Sequence, residues 1–215
     1  MLFRSELIDS VAIENGDIFD LTLPENKFWI FKLANKLHIN TRKHVIRREL
    51  LITKGDPFSR KLADESERNL RSLSYLFDAQ IELTKTADSL NVLNVLTSDR
   101  WTLAGGPTIS RKSGQTIYQL GFEELNFLGY GQRISFDYFI REFEENYIRA
   151  SFYERRLFGS RFGLNSYYNG DPEIGNIGFG IVKPLFSLNS KFGYGVSYID
   201  KIGRASCRER VTAPV

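Results

Sequence analysis

Residues 134–141 read ISFDYFIR, and their alternation decides how the C-terminal half of the chain is built. Ile134, Phe136, Tyr138 and Ile140 fall on one face of an extended strand. Ser135, Asp137, Phe139 and Arg141 fall on the other, because successive side chains of a strand point to opposite faces. The same period of two recurs on both sides of this stretch. Tyr118, Leu120 and Phe122 alternate with Gln119, Gly121 and Glu123. After an acidic turn at Glu144-Glu145, Ile148, Ala150 and Phe152 alternate with Arg149, Ser151 and Tyr153. Ile177, Phe179 and Ile181 oppose Asn176, Gly178 and Gly180, and Phe192, Tyr194, Val196 and Tyr198 oppose Lys191, Gly193, Gly195 and Ser197. Segments of about ten residues that alternate in this way have the length and polarity of transmembrane barrel strands.

A soluble β-sandwich also alternates, and also turns every 8–12 residues or so. Three features favour the barrel. The apolar faces are strongly aromatic, as interfacial girdles require, and the opposite faces are small or charged, which suits a wet lumen. Slipping residues 134–141 by one position would also turn Arg141 towards lipid, at a cost of up to about 2–4 kcal/mol near the midplane. No stretch approaches the ~18 consecutive apolar residues of a membrane-spanning helix, so strands must carry any membrane crossing.

Composition changes near Trp101. Of 17 glycines, 14 lie between Trp101 and Asp200, as do 21 of the 29 aromatic residues. The first hundred residues carry helical patterns instead. Residues 7–18 suggest a short strand ending at Asn15-Gly16, and a break at Pro24-Glu25-Asn26 precedes a helix over residues 28–38. Thr41 is placed to cap a second helix running to about Leu51, with Val45, Ile46 and Leu50 on one face. After a break at Lys54-Gly55-Asp56-Pro57, residues 59–73 form the clearest helix. Leu62, Ser66, Leu70 and Leu73 share a face there, away from Asp64, Glu65, Glu67, Arg68 and Arg71. Residues 79–83 and 90–96 read as two strands joined by a turn at residues 86–89. The order strand, helix, helix, strand, strand, with an insertion after the first strand, is that of an α+β unit.

The 42% apolar content is enough for a globular core, and the formal charge of +3 gives no reason to expect a nucleic-acid partner. The start of the sequence shows no long apolar segment of the signal-peptide kind. Residues 202–211, IGRASCRERV, resemble the translation of a sequencing-library adapter, so residues 202–215 are expected to be an artefact tail on a truncated chain. That tail holds the only cysteine, Cys207. Its Arg204, Arg208 and Arg210 against Glu209 contribute a net +2, leaving +1 for the remainder.

With Thr41-Arg42 ahead of it, the run VIRRELLITKGDPFSRKLADESERNLRSLSYLFDAQIEL over residues 45–83 resembles a POTRA domain, the polypeptide-transport-associated module. It is most similar to the POTRA next to the barrel in BamA/TamA-type outer-membrane proteins. Asp99-Arg100-Trp101-Thr102-Leu103 resembles the first barrel strand of that family, and residues 121–131, GFEELNFLGYG, its second strand and following turn. The family also carries an Arg-Gly-Phe/Tyr motif late in the barrel. No Arg-Gly pair occurs here, in keeping with a chain that shows about seven strands of a barrel of roughly 16.

The resemblance implies an α+β POTRA-like domain over residues 1–100, followed over residues 101–201 by part of an antiparallel transmembrane β-barrel. It implies a bacterial outer-membrane protein with its N-terminal domain in the periplasm, acting in protein assembly, insertion or translocation rather than as an enzyme. Its partners would be unfolded outer-membrane or secreted clients, outer-membrane lipid and accessory assembly proteins, with no cofactor. The number of POTRA domains upstream is open. Two backbone edges are candidate client sites, because an exposed edge accepts an extended chain as an added strand. One is the POTRA edge at Ala79, Gln80, Ile81, Glu82 and Leu83. The other is the first barrel strand, at Trp101, Leu103, Gly105, Gly106 and Ile109, where Gly105-Gly106-Pro107 lacks side-chain packing and one amide donor. The lipid-facing set is Tyr118, Leu120, Phe122, Ile134, Phe136, Tyr138, Ile140, Ile148, Phe152, Phe192 and Tyr194. Rival readings are a passive pore or surface antigen with a tethering domain, and a soluble β-rich binding module.

Other motifs carry less. His38 and His44 have no carboxylate or cysteine at ligand spacing and read as surface or turn residues, so no metal site is expected. Glu142, Glu144 and Glu145 read as a charged hairpin tip. Arg42, Lys43, Arg47 and Arg48 read as a solvated helix face interrupted by Glu49.

Overall fold

A computed structural model describes residues 6–185 and 190–202. The expected adapter-like tail therefore lies outside the described residues, Ile202 excepted.

The first unit contains strand β1 (Ser10–Gly16), helices α1 (Trp29–Leu37), α2 (Lys43–Arg47) and α3 (Arg60–Arg71), and strands β2 (Leu76–Lys85) and β3 (Asn91–Asp99). Its sheet has the order β1-β3-β2, with β1 parallel and β2 antiparallel to β3. Ile8, Val45, Ile46, Leu70, Ile81 and Leu93 are essentially unexposed and form the centre of a core made wholly from this unit. Ser59 caps α3, its side chain accepting from the Leu62 amide at 3.5 Å, which satisfies one of the free amides of the first turn.

Three local expectations are corrected. Arg42, not Thr41, stands at the start of α2, and the helix ends at Arg47 rather than near Leu51. The buried side of α3 is wider than its leucines suggested. Glu65 and Glu67 are buried as well: Glu67 is used by the Ile81 amide of the adjacent sheet edge, and Glu65 pairs with Arg68 of the same helix. His38 is not a surface residue: its side chain is 5% exposed and its Nε2 lies 2.8 Å from Asp99 Oδ2.

The second unit is one antiparallel sheet of seven strands, each paired with its sequence neighbours in the order β10-β9-β8-β7-β6-β5-β4. The strands are β4 (Leu103–Lys112), β5 (Gln115–Glu124), β6 (Gln132–Arg141), β7 (Tyr147–Glu154), β8 (Gly163–Asn169), β9 (Asn176–Lys183) and β10 (Tyr194–Lys201). The sheet does not close, so β4 and β10 are its edges.

The register shows why the alternation matters. Residues directly opposite in an antiparallel pair share a face. Ile109 pairs with Tyr118, Tyr118 with Ile140, and Leu120 with Tyr138. Tyr138 pairs with Ile148, and Ile134 with Phe152. Ile181 pairs with both Leu164 and Val196, and Phe179 with Tyr198. One apolar, aromatic face therefore runs unbroken from β4 to β10, and its residues are largely exposed. The opposite face carries Gln119, Asp137, Arg149, Asn165 and Asn169. There Arg141 and Arg149 lie over the ring of Tyr147, which stacks on Phe139. Among the described residues no second layer covers either face of this sheet, which is a partial barrel wall rather than half of a sandwich.

Two further expectations are corrected here. Phe192 lies ahead of β10, not within a strand. Asp99 is the last residue of β3 in the first sheet, and residues 100–102 form the link, so the first barrel strand begins only at Leu103.

Candidate functional site

The edge strand β4 follows the link directly. Trp101 falls outside it and turns its indole Nε1 to the Leu103 carbonyl at 2.5 Å. Leu103, Gly105, Gly106 and Ile109 lie within the strand, whose inner side pairs with β5. Its outer side meets no neighbouring strand among the described residues. Gly105 and Gly106 have φ of 146° and 150°, values that L side chains rarely adopt. At Gly105 the sequence has a second reason for glycine: a Cβ there would lie 2.3 Å from the Gly121 carbonyl oxygen. The two backbones approach each other more closely than any side chain allows. Pro107 next to them has no amide to donate. Among the described residues this edge has no outer strand partner, and it lies close to the α+β unit.

The other predicted edge, β2, is also at the border of its sheet, but its centre is occupied. Ala79 and Ile81 bury their side chains in the core, while Gln80 and Glu82 are exposed and Leu83 is partly buried. Outward-facing backbone groups of the strand are held by α3. The Ala79 carbonyl accepts from Arg71 at 2.6 Å. The Ile81 amide donates to Glu67 Oε1 at 2.7 Å, and its carbonyl accepts from Arg60 at 3.2 Å. An incoming strand would have to displace three charge-assisted bonds before it could pair here. Arg71 also binds Asp78, whose carboxyl is held below the ordinary aspartate value first by the Ala79 amide and then by this guanidinium.

Between the two edges lies the junction that fixes the α+β unit to the sheet. Two turns of similar sequence do the docking: Asn126-Phe127-Leu128-Gly129 after β5 and Arg156-Leu157-Phe158-Gly159 after β7. In each, the third residue is left-handed, Leu128 at φ 52° and Phe158 at φ 53°, and is followed by a glycine at φ 76° or 74°. At the first turn, Asn126 donates to Thr41 Oγ1 at 2.8 Å and accepts from the Gly131 amide. Thr41 in turn gives its amide to buried Asp99, which also takes Asn15 Nδ2 at 2.9 Å. Arg42 lies 4.0 Å over the Tyr130 ring and donates to the Leu128 carbonyl.

At the second turn Arg156 grips Glu49 with both ends of its guanidinium, Nε to Oε1 at 2.7 Å and Nη2 to Oε2. Glu49 is 1% exposed and Arg156 3%. Arg155 adds a longer contact to Glu49 at 3.7 Å, and Arg48 reaches the Tyr130 carbonyl and Glu154. Tyr75 is buried beside them, and its phenol is pushed well above the ordinary tyrosine value by burial first and by the Glu49 carboxylate second. Arg48 is thus a junction residue rather than part of a solvated face, while Arg42, Lys43 and Arg47 are exposed and Arg42 also reaches the junction. Glu49, which looked like an interruption of a basic run, is the centre of the interface. The repeat of a polar residue, two apolar residues and glycine in both turns was the available signal.

Residues 38–97 match the POTRA family, described as a surface antigen variable number repeat. Among solved structures, the chain is similar to BamA from Haemophilus ducreyi lacking POTRA domains 1–3, at 14% identity and a TM-score of 0.47. That match covers 80% of this chain and 31% of the other. It is also similar to CdiB from Acinetobacter baumannii, at 10% identity and a TM-score of 0.40, covering 92% of this chain and 39% of the other. The chain spans only about a third of the length of these two structures. No curated protein sequence matches it.

Proposed function

From a POTRA domain at residues 38–97 joined by a three-residue link to a two-faced open sheet, we propose that this chain is part of a bacterial outer-membrane protein that assembles or translocates other proteins. The POTRA domain stands in the periplasm, and the apolar face of β4–β10 meets lipid. An unfolded client, itself an outer-membrane or secreted protein, pairs its terminal strand with β4. Accessory assembly proteins act alongside. The role is binding and templating rather than covalent catalysis.

The observation that carries this reading is the β4 edge. Backbone hydrogen bonds are tolerant of client sequence, which suits a factor with many clients. Gly105-Gly106-Pro107 offers an added strand few side-chain contacts and one amide fewer, so a strand on the outer side of β4 is weakly held and exchangeable. The β2 edge is a poorer acceptor, since Glu67, Arg60 and Arg71 already occupy its centre.

Photocrosslinkers at Leu103 or Ile109 of the protein in its membrane test the proposal. Trapping a client barrel supports it, and labelling only the protein's own last strand rejects it. Depleting the protein and measuring the levels of other barrels separates it from a passive pore, which would leave those levels unchanged.

A further inference from the structure

We propose that α1 is an amphipathic anchor that lies in the interface of an anionic phospholipid leaflet, beside the junction rim of the sheet. The inference rests on the reading that the apolar face of the sheet meets lipid, and it goes beyond that reading by assigning the insertion between β1 and α2 a membrane role of its own.

The insertion is built with its apolar side outward. Its inner side is pinned by Asn35, whose amide oxygen takes the Phe19 amide at 3.1 Å and whose Nδ2 donates to the Phe19 carbonyl at 2.8 Å. Phe31 packs on Phe19 with ring centroids 4.7 Å apart. At 100° per residue this leaves Trp29, Ile30, Leu33 and Leu37 within an arc of about 100° on the opposite side. All four are exposed, Trp29 at 71% and Leu37 at 65%, and α1 contributes no buried residue. A helix that turns its most apolar face to solvent implies something that covers it.

Two observations identify the cover as lipid. The first is continuity. Leu37 and Ile39 line one cavity of about 360 Å³ together with Trp101, Leu103, Phe122 and Leu128. Leu103 and Phe122 belong to the apolar face of the sheet, so the outward face of α1 runs into that face at its junction end. Trp101, Phe127, Leu128 and Phe158, the last 98% exposed, mark the same level, which is where aromatic and apolar residues meet the headgroup region. The second is charge. Residues 27–37, KFWIFKLANKL, carry three lysines and no acidic residue, and Lys32 and Lys36 border the Trp29 side of the apolar arc. A short helix with aromatic and leucine residues on one face and lysines beside it is suited to lie at an anionic membrane surface.

The test uses the whole chain with Trp101→Phe, which leaves Trp29 as the only tryptophan. It is reconstituted with phosphatidylethanolamine and phosphatidylglycerol brominated either near the headgroup or near the chain end. A companion chain, Trp29→Phe/Trp101→Phe/Phe136→Trp, carries its single indole on β6 and reports the sheet. Trp29 is expected to be quenched most by the shallow bromines, less in neutral phosphatidylcholine, and less again in high salt. Lys32→Gln and Lys36→Gln are each expected to lower the docked population of α1 about fivefold, the worth of one lysine near an anionic surface. Lipid quenching of the companion chain's β6 indole, with Trp29 of the first chain fully open to aqueous iodide, would overturn the anchor and leave the barrel reading intact. Trp29 shielded from both quenchers would also overturn it, showing that protein covers the helix. Absence of lipid quenching at both probes would overturn the anchor and the barrel reading together.

Discussion

Replacing Arg156 with alanine should loosen the grip between the α+β unit and the sheet without unfolding either one first. In the native junction both guanidinium ends satisfy the Glu49 carboxylate, and neither group reaches solvent. Removing one partner of a buried ion pair leaves an uncompensated charge, at a cost of about 3–5 kcal/mol. Arg155, 3.7 Å from Glu49 and partly exposed, recovers a fraction of that, so the lower end of the range is expected. Trp101 sits in the three-residue link and reports the junction once Trp29 is replaced by phenylalanine. Chemical denaturation of the chain in detergent, followed by this fluorescence, should show the junction melting at a lower denaturant concentration in Arg156→Ala. The paired variant Glu49→Leu/Arg156→Met should recover most of the loss, because two packed apolar side chains often replace a buried ion pair at little cost. A single variant within about 0.5 kcal/mol of the parent, the usual range for surface changes, would refute the reasoning. So would a double variant as weak as the single one.

Gly105→Ala should speed hydrogen exchange at the β4–β5 pairs and destabilise that edge by about 1–3 kcal/mol. Gly106→Ala should do less, since nothing lies within 4 Å of its added Cβ; equal effects would contradict the close approach to Gly121. Glu67→Ala should lower the stability of residues 1–100 by about 1.5–3 kcal/mol in a denaturant melt, because the Ile81 amide loses a charged acceptor. Asp78 has a folded value below its unfolded one, so its contribution is present above the ordinary aspartate range and is lost as pH falls through the lowered value. Asp78→Asn should accordingly be less stable than the parent near neutral pH and indistinguishable from it in strong acid, as read by melts across that range.

The alternation of the second half was legible because a strand has only two faces. Once Arg141 and Asp137 are placed inward, Ile134, Phe136, Tyr138 and Ile140 have one direction left, and the register carries that choice across all seven strands. The helix over residues 59–73 was legible from Ser59 and its leucines, but its buried carboxylates were not. Glu67 is used by a backbone amide fourteen positions away, and no periodicity reports that. The junction was hidden for the same reason on a larger scale: Glu49 meets Arg156 across 107 positions, so locally it is one acid among basic residues. His38 was misplaced because its partner Asp99 is 61 positions away, at the end of β3. The insertion could be recognised as helical, yet which side of α1 faces outward depends on the reciprocal bonds of Asn35 with Phe19.

A scan of single cysteines along β6, in a chain with Cys207 replaced, tests the two-faced sheet most directly. With lipid-depth quenching of an attached fluorophore in bilayers, positions 134, 136, 138 and 140 should report hydrocarbon and positions 135 and 137 should report water, while position 139, buried against Tyr147, is left out of the scan. Equal shielding of both sets from lipid and from water would mean a dry layer on each side, and would contradict the barrel wall on which the proposed function depends.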